Sequence, residues 1–220
     1  MSATEKNGLR VFELVTMREP HTAADHDEYL REIKPHMEKH GVTHLAAFQV
    51  LKKAAGAAPD HTVQVGLLRL SSPEALQNIF ADPGYQARAE HRDHIHDMQN
   101  LTLYMATPVF EQAFNKGNVT IMDFVVMDEG YGKPDWEKYF SNLEKIGARY
   151  NLRRVASYEI VQFLTGKGPK DAVLVNLYEV PSPDVMGQLQ QDAEYQEKMV
   201  PERDKIFNMR EHSVFVTKFN

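Results

Sequence analysis

The chain has no cysteine. That absence excludes disulfides, thiolate metal sites and cysteine nucleophiles. Nor does it have an apolar run approaching the ~18 residues that cross a bilayer, and its polar N-terminus lacks a signal-peptide core. Positive charge is in deficit, 25 Lys and Arg against 31 Asp and Glu, for a net charge of -6. A binder driven electrostatically to nucleic acid or to an anionic membrane is therefore not expected. No glycine-rich phosphate loop, nucleophile elbow or zinc-type spacing occurs. The expectation is a cytoplasmic protein with neither nucleic acid nor membrane as a partner. Hydrophobic and charged contents of 42% and 25% are those of ordinary globular proteins.

What the chain does have is an internal repeat. Residues 11–90 laid over residues 121–200, an offset of 110, give sixteen identities without a gap. Chance composition would give roughly five. Val63-x-Val65-x-Leu67 matches Val173-x-Val175-x-Leu177, Ser72-Pro73 matches Ser182-Pro183, and Asp82-x-x-Tyr85-Gln86 matches Asp192-x-x-Tyr195-Gln196. One residue is then inserted, and Arg92-Asp93-x-Ile95-x-x-Met98 continues as Arg203-Asp204-x-Ile206-x-x-Met209. Two domains follow, residues 8–107 and 119–220, joined by a linker over 108–118. Residues 1–7 are expected to be disordered.

Each copy shows the same order of elements. A β-rich run over 9–17 precedes a helix over 25–40, which ends at Gly41 in copy one and Asn151 in copy two, residues suited to a left-handed cap. Strands follow over 43–51 and 62–70, the second alternating strictly. Ser72-Pro73-Glu74 opens further helix, and a last strand covers 101–107. The order β-α-β-β-α-β is the ferredoxin-like unit, an α+β fold with one bare sheet face. Two copies packed sheet to sheet would bury those faces as an intramolecular α/β barrel.

The passages Tyr29-Leu30-x-x-Ile33-Lys34-Pro35-His36-x-Glu38-Lys39-His40-Gly41 and Phe80-x-Asp82-Pro83-x-Tyr85-Gln86 resemble the dimeric α/β-barrel superfamily, NIPSNAP-like domains above all. The resemblance spans nearly the whole chain. It implies the barrel fold and a menu of activities: cofactor-free oxygenation, haem degradation, isomerisation, cyclisation, dehydration. A fold does not choose among them.

Candidate chemistry concentrates in copy one, which holds nine of the ten histidines. His91, His94 and His96 lie on a short segment whose arginine, aspartate and isoleucine recur in copy two, while the histidines do not. They mark either an acid/base or ligand site or a solvated helix end. His26 and His40 share the helix stripe of Tyr29, where copy two has Trp136 and Tyr150. They line a polar pocket or cap the helix ends. His36 and His40 have a metal-like i,i+4 spacing without further ligands. Glu13, with Asp123 as its copy-two counterpart, is a mid-strand carboxylate that needs a partner. It forms an acid/base pair in a central cavity, a symmetric contact between half-sheets, or an ion pair with Arg10, Arg92 or Arg203. Tyr85 and Arg92 recur in both copies and serve as scaffold, or hold an anion.

The expectation is a small-molecule enzyme acting on a hydrophobic or aromatic substrate. His91 and His94 are its acid/base candidates, His26 and Tyr29 orient, and Arg92 stabilises an anion. Glu13, His40, Tyr85 and His96 contact substrate. No cofactor is expected. The alternatives are a non-catalytic ligand-binding or assembly protein and a haem- or metal-binding protein, and homo-oligomerisation stays open.

Overall fold

The computed structural model describes residues 8–219. The expectation for residues 1–7 lies outside the described residues. Copy one comprises β1 (Leu9–Thr16), α1 (Ala23–Lys39), β2 (Val42–Ala55), β3 (Thr62–Leu70), three short helices α2 (Ala75–Phe80), α3 (Pro83–Gln86) and α4 (Ala89–Ile95), and β4 (Thr102–Glu111). Copy two comprises β5 (Val119–Val126), α5 (Lys133–Gly147), β6 (Arg153–Thr165), β7 (Ala172–Val180), α6 (Val185–Gln191), α7 (Val200–Ile206) and β8 (Ser213–Phe219).

Local chemistry sets the element ends. Thr22 caps α1 in a capping box: its hydroxyl accepts from the Ala24 N–H while the Asp25 carboxylate accepts from the Thr22 N–H. Gly41 after α1 has φ +73° and Asn151 has φ +54°, the left-handed conformations that end a helix. The residue inserted in copy two is absorbed as a π-turn over Tyr195–Met199, where copy one breaks between α3 and α4.

The eight strands close into one antiparallel barrel in the order β1-β3-β2-β8-β5-β7-β6-β4. The half-sheets face each other across the interior and are also hydrogen-bonded edge to edge, β2 to β8 and β4 to β6. This seam lengthens the joining strands beyond their expected ends. β2 runs to Ala55 because β8 pairs with it, and β4 runs to Glu111 because β6 does. Residues 108–111, expected in the linker, are therefore strand.

Strand alternation then sorts side chains into three layers. Phe12 and Leu14 point inward with Phe48, Tyr104, Phe124 and Tyr158, and this interior is packed solid. Phe12 meets Tyr158 edge to face at 5.0 Å and Phe124 at 5.9 Å. Truncating such a residue to alanine costs about 3–5 kcal/mol. Val11 and Val15 point outward and pack beneath Tyr29, Ile33 and Met37 of α1. Glu13 lies between them in sequence and faces the same side.

Candidate functional site

Between the copy-one helices and the outer face of β1, β3 and β4 lies a cavity of about 570 Å³. Its walls are apolar, with Ile33, Met37, Leu68, Ile79, Leu103 and Met105 prominent. At its rim stand Phe80, 48% exposed, and Gln162 and Thr165, which come from β6 of the other repeat. An apolar cavity of this size with a few converging polar groups has the form of a small-molecule site.

Glu13 lines this cavity, opposite Gly66 on β3 and Leu103 on β4. Neither neighbour offers a hydrogen bond from its side chain. The arginines expected to pair with it are engaged elsewhere: Arg10 binds Glu111 at 2.7 Å, and Arg92 binds Asp93 at 2.7 Å. Among the described residues Glu13 has no ion-pair partner. Burial therefore pushes its carboxyl up to about 7. The inward side chains pack against one another, and Glu13 and Asp123 line separate cavities outside the barrel, so among the described residues the two acids share neither a central cavity nor a contact across the half-sheets. Each faces its own helix layer.

His26, 1% exposed, and His96, 3% exposed, also line the cavity. They join through His26 Nδ1 and His96 Nε2 at 2.8 Å. His96 lies just beyond the end of α4 in extended backbone (φ -97°, ψ 144°), bridged to Met17, with its carbonyl accepting from Arg18 Nε at 3.0 Å. That departure from helical geometry turns its ring inward, whereas a helical wheel sends it away from the site. Burial, then the neighbouring imidazole His96 and then His44, pull His26 down to about 3. Burial above all holds His96 at about 4. Both rings are neutral at pH 7.

Tyr29, Tyr85 and Arg92 complete the polar lining. Burial, then proximity to Tyr85, pushes the Tyr29 hydroxyl above its usual range, and it stays protonated. Its oxygen has no hydrogen-bond partner among the described residues. The Arg92 guanidinium lies 5.9 Å from the Tyr85 ring centroid. Burial opposes its charge, but Asp93 and Tyr85 more than offset that, so it remains a cation.

The structure does not bring the remaining expected residues into the cavity. His94 is exposed and packs on His21 at 4.9 Å between ring centroids. His91 touches the edge of Tyr29 at 5.8 Å but turns its Nδ1 to Glu32 at 3.1 Å, on the outer surface of the helices. The acid/base assignment of His91 and His94 is thus displaced: a helix of seven residues, Ala89–Ile95, turns both away from the sheet. His40 is a structural ligand. With His36 and Lys39 it holds the buried Asp82 carboxylate, which caps α3.

Copy two carries the pseudo-symmetric site in collapsed form, about 150 Å³. Trp136 and Phe207 replace His26 and His96, and Phe140 stacks on Phe207 at 5.6 Å. Asp123 contacts His212 Nε2 and lies opposite Asn176, whose Oδ1 accepts from the Ser157 hydroxyl at 2.6 Å. The copy-one residues at those three positions are Leu101, Gly66 and Ala47. This exchange was readable in the aligned copies, and it identifies Glu13 as the stripped carboxylate. The contribution of Gln162 and Thr165 was not, since only barrel closure carries them to the other repeat.

Among the described residues no three His, Asp or Glu side chains gather as a metal site. Of the cavity's two imidazoles, His96 uses both nitrogens, Nδ1 facing the Arg92 carbonyl at 3.1 Å. His26 Nε2 alone is available to a metal or haem iron.

No helix among the described residues is long and apolar enough to cross a membrane. Residues 11–105 match the family model described as a domain of unknown function, DUF1330. No curated protein matches the chain by sequence. Among solved structures, it is similar to an anthrone oxidase-like protein, at 12% identity over 100% of this chain and 94% of that one, with a TM-score of 0.59. It is also similar to a mutant chlorite dismutase from Candidatus Nitrospira defluvii, at 10% identity over 96% and 91%, TM-score 0.57. A proposed monooxygenase from Fusobacterium nucleatum aligns at 11% identity over 97% and 92%, TM-score 0.54. At such identities the likeness is one of fold: an α+β chain whose eight antiparallel strands close into a barrel, as in its ferredoxin-like α/β-barrel neighbours.

Proposed function

We propose that this protein is a small-molecule enzyme whose copy-one cavity takes a hydrophobic or aromatic substrate and removes a proton from it. Glu13 is the base. The observation that carries this reading is the placement of the Glu13 carboxyl in an apolar cavity with no ion-pair partner among the described residues, where burial pushes its pKa up to about 7. Such a group is about half ionised at neutral pH, where a general base is most effective. The proton passes from substrate to the Glu13 carboxylate, and the electron pair stays on the substrate as an enolate- or phenolate-like anion. Arg92 and the Tyr29 and Tyr85 hydroxyls supply the positive charge and donors that such an anion needs. Return of the proton elsewhere gives isomerisation, and loss of a leaving group gives elimination. Capture by molecular oxygen gives cofactor-free oxygenation, an activity in keeping with the monooxygenase and oxidase names among the structural neighbours. The closer kinship to NIPSNAP-like domains is part of the same proposal. If the site holds a haem, His26 Nε2 binds its iron and the group supplies oxygen activation. A Soret band in the purified protein would reveal it.

The test is a carbon-13 NMR titration of the glutamate carboxyls, with Glu13→Gln assigning the resonance. A midpoint near 7 that moves when 1-naphthol is added is expected. A midpoint near 4, the ordinary glutamate range, removes Glu13 as the base.

A further inference from the structure

The buried histidine pair has a direction, and the direction follows from its ends. His96 Nδ1 lies 3.1 Å from the Arg92 carbonyl oxygen. A carbonyl oxygen only accepts, so the hydrogen of this bond sits on His96 Nδ1. The neutral ring then presents a bare lone pair at Nε2. That lone pair faces His26 Nδ1 at 2.8 Å, so His26 Nδ1 carries the hydrogen and donates it. One nitrogen remains, His26 Nε2, and it is left as a lone pair. It has no hydrogen-bond partner among the described residues, and its ring, 1% exposed, lines the cavity. The tautomer of one ring is thus set two residues away, by the backbone of α4.

A buried acceptor without a partner destabilises the free protein by about the cost of desolvating it, which a ligand donor can recover. From this chain of bonds we infer that His26 is a specificity-determining residue: its Nε2 accepts a hydrogen bond from a hydroxyl or N–H of the ligand, and the ligand class is an apolar, ring-sized molecule carrying one such donor. His96 is a positioning residue that holds His26 in the accepting tautomer. Burial keeps both rings uncharged, so His26 holds the donor without taking its proton, and proton removal is left to Glu13. The inference rests on the copy-one cavity being the ligand site, as proposed above, but not on Glu13 being a base. Copy two cannot make the same selection, since Trp136 and Phe207 replace both imidazoles.

The probes are 1-naphthol and 1-methoxynaphthalene, nearly the same shape with and without the donor. Calorimetry on the full chain should show 1-naphthol binding on the order of tenfold tighter or more. His26→Phe should erase that preference while leaving 1-methoxynaphthalene affinity within about twofold. Glu13→Gln should keep the preference. Histidine nitrogen-15 spectra of the wild type give a readout independent of any variant's folding. His26 Nε2 should resonate as an unprotonated nitrogen and move on adding 1-naphthol but not 1-methoxynaphthalene. Equal affinities, a preference surviving in His26→Phe, or an unmoved Nε2 signal with 1-naphthol bound would each overturn the inference and leave the Glu13 reading intact. If neither probe displaces cavity resonances, the cavity reading falls as well.

Discussion

The same backbone position tells two different stories in the two repeats. At Asp123 a mid-strand carboxylate meets His212 and lies opposite Asn176, beside a cavity of about 150 Å³. At Glu13 the counterparts are Leu101 and Gly66, and among the described residues the carboxyl has no ion-pair partner in a cavity of about 570 Å³. The acid is retained in both; its surroundings differ. Burial without a partner raises the energy of the charged form, and burial with a partner offsets that cost. One duplicated frame thus yields a packed structural half and a half with a titratable group at neutral pH.

The largest effect should separate the two acids in catalysis. Glu13→Gln should lower turnover of any substrate processed by proton abstraction by about 10²–10⁴-fold, and Asp123→Asn should leave turnover within a few-fold. Equal losses in steady-state kinetics would show that the two sites are not distinct.

Stability should sort them with opposite sign. The folded-state pKa of Glu13, about 7, lies above its unfolded value of 4.5. The folded protein therefore binds more protons between those limits, and stability falls as pH rises through them. At pH 8, Glu13→Gln should be more stable than the parent by roughly 3 kcal/mol, and the difference should vanish near pH 4.5. Asp123→Asn, which leaves His212 unpaired, should instead lose about 1–3 kcal/mol. Urea unfolding at the two pH values measures both, and a destabilised Glu13→Gln at pH 8 would contradict the raised pKa.

The imidazoles give the acid side of the comparison. His26 and His96 are held near 3 and 4 when folded, below the ordinary 6.5. The unfolded chain binds the extra protons, so stability is full above 6.5 and declines as pH falls below it. Between pH 6.5 and 4.5 the pair should cost roughly 4–5 kcal/mol. Replacing the rings by the copy-two residues, His26→Trp with His96→Phe, should flatten that decline, provided circular dichroism shows a folded barrel.

The smallest change is a transplant. Leu101→His puts an imidazole where copy two has His212, and should bring the Glu13 midpoint down by about one to three pH units. An unchanged midpoint would mean that the missing partner is not what separates Glu13 from Asp123.

Much of the fold was legible in the residues. The repeat, the element order, the caps at Gly41 and Asn151 and the alternating third strand all rest on local rules that a linear sequence expresses. The lining of the copy-one cavity was legible in part. The histidine asymmetry pointed to copy one, and Glu13, His26, Tyr29, Tyr85, Arg92 and His96 were all among the candidates. His91 and His94 lie inside α4 and face away from the sheet, which residue type and spacing alone do not reveal. Past Ile95 the backbone turns to extended, and His96 takes the inward direction that a wheel denies it. His40 looked like part of a pocket because it shares the stripe of His26, yet Asp82, distant in sequence, claims it.

The order of residues is enough to show two copies of one unit, the lack of cysteine chemistry in either, and nine of the ten histidines in the first. Those are matters of composition, periodicity and identity, which need no third dimension. Only the tertiary structure decided that the barrel interior is solid, that the acids face outward into separate helix layers, and that β6 reaches over the opposite site. Strand pairing and burial bring together residues scores of positions apart, and a carboxylate's pKa depends on those neighbours rather than on its place in the chain.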